Sequence, residues 1–231
     1  MKFSNETLGI LKNFASINQG MLFRKGKTLK TVSAHKNILS EATITEDIPN
    51  EFGIHDVNNF LSVISLHGDD SSFEFDDKHV MIVGNKGRSK LKYRFADVKT
   101  ITVPPENSIK LTTVDVKFTL TETDFTLLLK AANVLSSTHI SIESDGEKIK
   151  LVTFDASNDS ASTEALEIGE GNGDKYRIMF KTETLQKVLV GEYDVEYSTN
   201  NGVPVAHFKN KKQPLQYWIA VEVGSKFEKA K

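Results

Sequence analysis

Four segments of the chain place apolar residues at the three- and four-residue spacing of an amphipathic helix. They span residues 7–17, 57–66, 125–135 and 184–190. An acidic residue stands at or near the start of each one, where a carboxylate stabilises the helix dipole or caps free N–H groups: Glu6, Asp56, Asp124 and Glu183. The pattern therefore predicts four short helices, each with one buried face.

Each predicted helix is followed by three runs of alternating or β-branched residues, which is the pattern of antiparallel strands. The runs are 21–24, 28–33 and 37–45; 72–76, 79–83 and 89–95; 139–143, 148–154 and 164–168; and 193–198, 203–208 and 215–223. Turn residues such as Ser144-Asp145-Gly146 separate them and favour hairpins.

The order helix, three strands, helix, three strands thus occurs twice along the chain. A repeat of this length predicts two similar α+β domains rather than a doubly wound parallel sheet. Residues 98–110, with Pro104-Pro105, lie between the copies as turn-rich sequence. We expect domains at residues 1–100 and 113–231, each with two helices packed on antiparallel sheets, joined by a connector at residues 101–112.

Composition narrows the classes of protein to consider. The 231 residues include no cysteine, which excludes disulfides, thiolate metal sites and cysteine nucleophiles. No stretch approaches the roughly 20 apolar residues of a membrane helix, so we expect a cytoplasmic protein with no membrane partner. The formal net charge of -2 argues against nucleic-acid binding by bulk positive charge. Any such contact requires a local basic surface.

The four helix bodies provide such a surface. Their 39 residues contain no aspartate or glutamate, although the composition would place about five there by chance. Lys12, Lys130 and Lys187 add positive charge. Polar side chains of this kind meet phosphates without reading base edges, so the pattern predicts sequence-independent contact with duplex DNA.

The candidate DNA-facing residues lie on the polar arcs of the helices and on one basic hairpin tip. They are Lys12, Asn13, Ser16, Asn58, Asn59, Ser62, Lys130, Asn133, Gln186, Lys187, Lys211 and Lys212. For any single helix, an ordinary solvated face is the better explanation of such residues. The hypothesis depends on their coincidence across all four helices.

Three segments resemble the T4-type bacteriophage sliding clamps. They are LKNFASINQGM at 11–21, IHDVNNFLSVISL at 54–66 and Val103-Pro104. Leu127-Leu128 and residues 217–222 agree in pattern. The resemblance implies a homotrimer whose domains close into a ring around DNA, with helices lining the hole. It also implies no catalytic centre and no cofactor, an ATP-driven clamp loader, and a DNA polymerase held through a short hydrophobic peptide.

The same resemblance points to two further surfaces. Head-to-tail contacts would close the ring. The candidate residues are Leu91, Tyr93 and Phe95 on one edge strand, against Leu166 and Ile168 in the 161–168 region of the next chain. The candidate walls of the partner-peptide site are Val103, Pro105, Tyr217 and Trp218. A lone aromatic residue in a terminal strand is more often part of the core, so that alternative stays open for Trp218.

Two other functions remain open on the sequence. The first is a monomeric α+β module that binds a small apolar ligand between helix and sheet. The second is a Mg²⁺-dependent hydrolase that uses the acidic loop with Asp69 and Asp70 and a histidine. The six histidines show no pair at ligand spacing, so we predict no metal site.

Overall fold

The computed structural model describes residues 1–68, 71–199 and 203–230. The chain divides into two compact units. The first comprises Met1–Ser108 with Pro214–Gln216, and the second comprises Ile109–Gln213 with the residues from Tyr217 onward. The division between Ser108 and Ile109 falls inside the segment predicted as a connector.

The first unit combines two helices with seven short strands. They are α1 (Asn5–Ile17), β1 (Met21–Phe23), β2 (Gly26–Val32), β3 (Ile38–Ile48), β4 (Phe52–Ile54), α2 (Val57–Leu66), β5 (Ser72–Phe75), β6 (His79–Gly84) and β7 (Ser89–Arg94). Strand β1 pairs with β4, β2 with β3, and β6 with both β5 and β7, all antiparallel. The predicted helix at residues 57–66 is confirmed.

The second unit repeats the plan with more strands. Its elements are β8 (Val116–Leu120), α3 (Glu122–Val134), β9 (His139–Asp145), β10 (Lys148–Phe154), β11 (Glu164–Glu170), β12 (Lys175–Lys181), α4 (Thr182–Leu185), β13 (Tyr193–Ser198), β14 (Val205–Asn210), β15 (Leu215–Ala220) and β16 (Lys226–Glu228). One sheet has the order β11-β10-β9-β12-β16, and β15, β14, β13 and β8 follow one another in another. The predicted α+β class is confirmed.

Two helices begin earlier in the chain than predicted, because a hydroxyl side chain caps each of them. Ser4 Oγ accepts from Thr7 N–H at 3.2 Å, and Thr121 Oγ1 accepts from Asp124 N–H at 3.1 Å. Helices α1 and α3 therefore begin at Asn5 and Glu122, two and three residues before the predicted starts. The capping residue of α2 is the acid named from the sequence, since Asp56 Oδ1 accepts from Asn59 N–H at 2.9 Å.

The predicted fourth helix at residues 184–190 is wrong in both bounds. Helix α4 ends at Leu185, because the backbone tightens to three-residue hydrogen bonds: Lys187 N–H donates to the Thr184 carbonyl at 3.2 Å, and Val188 N–H to the Leu185 carbonyl at 3.0 Å. Apolar spacing alone does not distinguish such a turn from a continuing helix. Strands β4, β8, β12 and β16 also lie outside the predicted runs; β4 and β16 are only three residues long.

Aromatic side chains fill the core of the first unit. Phe23 stacks on Phe52 with ring centres 4.7 Å apart, and Phe60 meets Tyr93 at 5.1 Å. In the second unit, Phe125 of α3 meets Tyr193 edge-on at 6.1 Å. Burial raises the pKa of Tyr193 to about 12, which is the expected effect on a phenol withdrawn from water. Ring contacts thus hold α2 and α3 against the strands of their own units.

Gly84 permits a close approach between the end of β6 and the residue after α2. A Cβ at Gly84 would lie 2.2 Å from the His67 carbonyl oxygen. We expect Gly84→Ala to lower the free energy of unfolding by about 2 kcal/mol in urea titrations, because backbone must move. Gly9→Ala, where nothing lies within 4 Å, should instead raise it by about 0.5 kcal/mol. Equal stability of Gly84→Ala and the parent chain would contradict the close approach.

Candidate nucleic-acid interface

The polar arcs of α1 and α2 form one surface in the first unit, because the two helices pack against each other. Lys12, Asn58 and Ser62 line a single groove of about 550 Å³ between them. On the same helices, Asn59 and Ser16 are exposed and Asn13 is half-buried. The structure therefore brings three of the six predicted residues together in one groove.

In the second unit, the candidate residues come from α3 and from the turn after α4. Lys130, Asn133 and Gln186 are exposed, and Lys187 is half-buried. Gln186 Nε2 donates to Asn133 Oδ1 at 2.7 Å, which joins the two segments. The shortening of α4 therefore leaves its polar residues beside those of α3.

The two lysines at the hairpin tip differ from those on the helices. Lys211 Nζ lies 2.7 Å from Glu192 Oε1, and Lys212 Nζ lies 3.1 Å from Glu122 Oε2. The hydrogen bond to Glu192, with its negative charge, raises the pKa of Lys211 above the usual range. Both lysines are thus partly neutralised within their own chain. Their attraction for an external phosphate is correspondingly weaker.

Lys12 and Lys130 carry the uncompensated charge. Across the residues that the structure describes, no carboxylate lies within 4.0 Å of either ammonium group. Lys130 shares a depression with Glu122, Glu192 and Lys212, so acids do lie near the start of α3. The sequence count missed them because Glu122 stands in the first turn and Glu192 lies outside the helices.

The strands proposed for subunit contact lie at sheet edges. Among the strands of the described residues, β7 pairs with β6 alone and β11 pairs with β10 alone, so both are edge strands there. The predicted aromatic anchors face inward instead. Phe95 stacks on Phe52 at 4.6 Å, and Tyr93 Oη donates to Asn59 Oδ1 at 3.1 Å. Leu91, Leu166 and Ile168 are half-buried.

Two residues predicted for the partner-peptide site belong to the core, which corrects that assignment. Tyr217 is 0% exposed and accepts a hydrogen bond from Leu189 N–H at 3.2 Å. Trp218 is 3% exposed, and its ring stacks on His207 with centres 4.8 Å apart. Neither side chain presents a surface that a peptide can reach. Val103 is half-buried and Pro105 is exposed at the start of the connector.

The hydrolase alternative would need acidic and histidine side chains gathered around a metal ion. Within them, no three histidine, aspartate or glutamate side chains converge as a metal ion would require. Asp69 and Asp70, the acids of the hydrolase hypothesis, lie outside the described residues. Over the same parts of the chain, no helix has both the length and the apolar composition of a membrane crossing.

Comparison with known proteins identifies relatives over nearly the whole length. The sequence profile of the DNA polymerase processivity factor family matches residues 4–103. A sliding clamp of Vibrio phage KVP40 is 30% identical over 228 residues, which cover 96% of this chain and 99% of the relative. A sliding clamp of Escherichia phage RB69 is 29% identical, covering 97% and 98%. The proliferating cellular nuclear antigen of Entamoeba histolytica has the same fold, with a TM-score of 0.68, 13% identity and coverage of 93% and 94%.

The inward packing of Phe95 predicts that its truncation acts first on folding. We expect Phe95→Ala to lower the free energy of unfolding by about 2 kcal/mol, since it removes the ring that stacks on Phe52. Urea titrations at several protein concentrations measure this. If the variant instead lost only self-association, with an unchanged free energy of unfolding, Phe95 would be an interface anchor.

Proposed function

We propose, since the chain belongs to the DNA polymerase processivity factor family, that its copies close into a homotrimeric ring around duplex DNA and tether a DNA polymerase to it. Relatives that match nearly the full length are sliding clamps, and the fold of the chain is that of a clamp. One observation supports the placing of the DNA: Lys12 and Lys130 are exposed on helices whose bodies carry no acid.

A ring suits this distribution of charge. Each chain contributes only a few unpaired cations, and each phosphate contact adds a small, salt-dependent and sequence-independent attraction. Repetition around a closed ring would centre a duplex without fixing its register. Weak contact is what permits sliding, because no single position along the DNA is favoured.

Ring closure would join unlike surfaces of neighbouring copies. The open edges of β7 and β11 can extend one sheet across the junction, as head-to-tail assembly requires. Two apolar side chains at helix ends are candidates for burial in the same assembly. Leu66 at the end of α2 is 75% exposed and Val134 at the end of α3 is 83% exposed.

A closed ring must be opened to admit DNA. We therefore infer that a separate ATP-driven clamp loader acts on it. The phage origin of the relatives supports action in the cytoplasm of an infected cell. The partner-peptide site is proposed near Val103 and Pro105, the two assigned residues that are not buried.

Charge reversal on the helices tests the DNA contact. We expect Lys12→Glu, Lys130→Glu and Lys187→Glu together to shorten processive synthesis about tenfold while the trimer persists, because repulsion replaces attraction at the phosphates. Primer extension on a long template, at several salt concentrations, measures the effect. Lys78→Glu, Lys99→Glu and Lys175→Glu make the same change in net charge at other exposed positions and should have little effect. Equal loss in both triple variants would refute the assignment.

Sedimentation equilibrium tests the assembly. We expect a mass about three times the 25.7 kDa of the chain. Val134→Asp should raise the dissociation constant of the trimer about tenfold, since a buried interface charge opposes association. Val223→Asp is the matched control, because Val223 lies next to Glu222, whose N–H donates to the Met179 carbonyl of β12, away from the proposed contact edge at β11. A single species of 25.7 kDa would favour the monomeric ligand-binding alternative.

A further inference from the structure

We propose that Lys30 is a positioning residue for the connector: it fastens residues 102–108 to the first unit and so holds the connector in the form that a partner recognises. Only the last part, recognition, rests on the proposed function. The fastening concerns one unit of one chain and is tested without DNA, polymerase or assembly.

Three contacts of the Lys30 ammonium group carry the inference. Lys30 lies on β2, and its Nζ is 3.0 Å from Glu41 Oε2 on β3. The same Nζ donates to the Glu106 carbonyl at 2.6 Å and to Ser108 Oγ at 3.2 Å. An ammonium group has three donors, so two of its three bonds reach the connector.

The ion pair at the centre of this arrangement is sheltered from water. Both side chains, Lys30 and Glu41, are 15% exposed. Glu41 also accepts hydrogen bonds from Ser108 Oγ and, at 3.2 Å, from Gln216 Nε2. Burial acts to raise the pKa of Glu41, but the hydrogen bonds from Ser108 and Lys30 and the charge of Lys30 outweigh it, and the pKa lies below its ordinary value. The carboxylate is therefore ionised when the connector is in place.

Further contacts hold the first half of the connector on the same side. Asn18 Nδ2 donates to the Thr102 carbonyl at 3.3 Å, and Arg24 Nη2 lies 3.5 Å from Glu106 Oε1. Pro104 is buried. A groove of about 280 Å³ beneath the connector is lined by Lys30, Glu41, Val103, Pro104 and Ser108 among others. Residues 102–108 of the connector are thus held against the first unit by several side-chain contacts.

Removal of the Lys30 ammonium group would break the central contacts between the connector and the first unit. Glu41 would keep a sheltered charge without its cation, and the Glu106 carbonyl would lose its donor. Local opening of the connector then becomes easier than in the parent chain. Because Val103 and Pro105 lie in this segment, a loosened connector would present the partner site in many conformations. The affinity of the partner peptide would then fall in proportion to the fraction of chains in the conformation that binds it.

Limited trypsin digestion of the full chain measures the opening directly, because Lys110 offers a cleavage site in the connector. We expect Lys30→Met to speed cleavage after Lys110 about tenfold. Mass spectrometry of the fragments identifies the cleavage site and gives its rate. Lys30→Arg should restore slow cleavage, since a guanidinium group supplies the same charge and donors. Lys27→Met is the matched control, because Lys27 is an exposed lysine of the same strand.

Cleavage at the parent rate in a folded Lys30→Met chain, or failure of Lys30→Arg to restore it, would overturn the proposal. Should Lys30→Met not fold, Ser108→Ala removes one connector contact and must speed the same cleavage. Processive synthesis by the polymerase gives the second measurement: Lys30→Met should weaken it and Lys30→Arg should restore it. A parent chain that forms no trimer would refute the proposed function while leaving the cleavage test intact.

Discussion

The proposed attraction between DNA phosphates and a small number of helix lysines is the interaction on which the proposed function depends. A chain with a formal net charge of -2 repels DNA at long range, so its attractive surface must be local and free of its own acids. The helices meet this requirement in different ways. Lys12 lies in a groove with polar neighbours, Lys130 stands across from two glutamates, and the hairpin lysines are paired within the chain. The proposed DNA-facing lysines therefore differ in how much of their charge is offset by nearby carboxylates.

The fold must hold these helices without using their polar faces. Aromatic contacts beneath α2 and α3 do so, through Phe60 with Tyr93 and Phe125 with Tyr193. The polar arcs are then left to solvent, and side-chain bonds such as Gln186 to Asn133 order them. The edge strand β7 shows the same separation between packing side chains and a free surface. Tyr93 in β7 and Phe95 after it pack within the first unit, and the backbone edge of β7 is the part proposed to meet a neighbouring copy.

Sequence reasoning succeeded where periodicity is strong and failed where a single hydrogen bond decides. The apolar spacing of α2 predicted both of its ends correctly. The doubled order of elements predicted two units. Helix α1 began earlier than predicted because Ser4 acts as its cap, and α4 ended earlier because its last turn tightens. The sequence left Trp218 between the core and the peptide site, because a lone aromatic residue in a terminal strand has no pattern that separates the two; the structure places it in the core. The Lys30 network escaped notice because residues 30, 41, 106 and 108 are distant in sequence, and only the fold brings them together.

The central claim is that the acid-free faces of the helices line the hole of a ring. A reconstruction of the assembled protein with duplex DNA by electron cryomicroscopy tests it most directly. The account predicts a closed ring of three copies with Lys12 and Lys130 facing the duplex. Helices turned to the outer wall, or an assembly without a central hole, would contradict it.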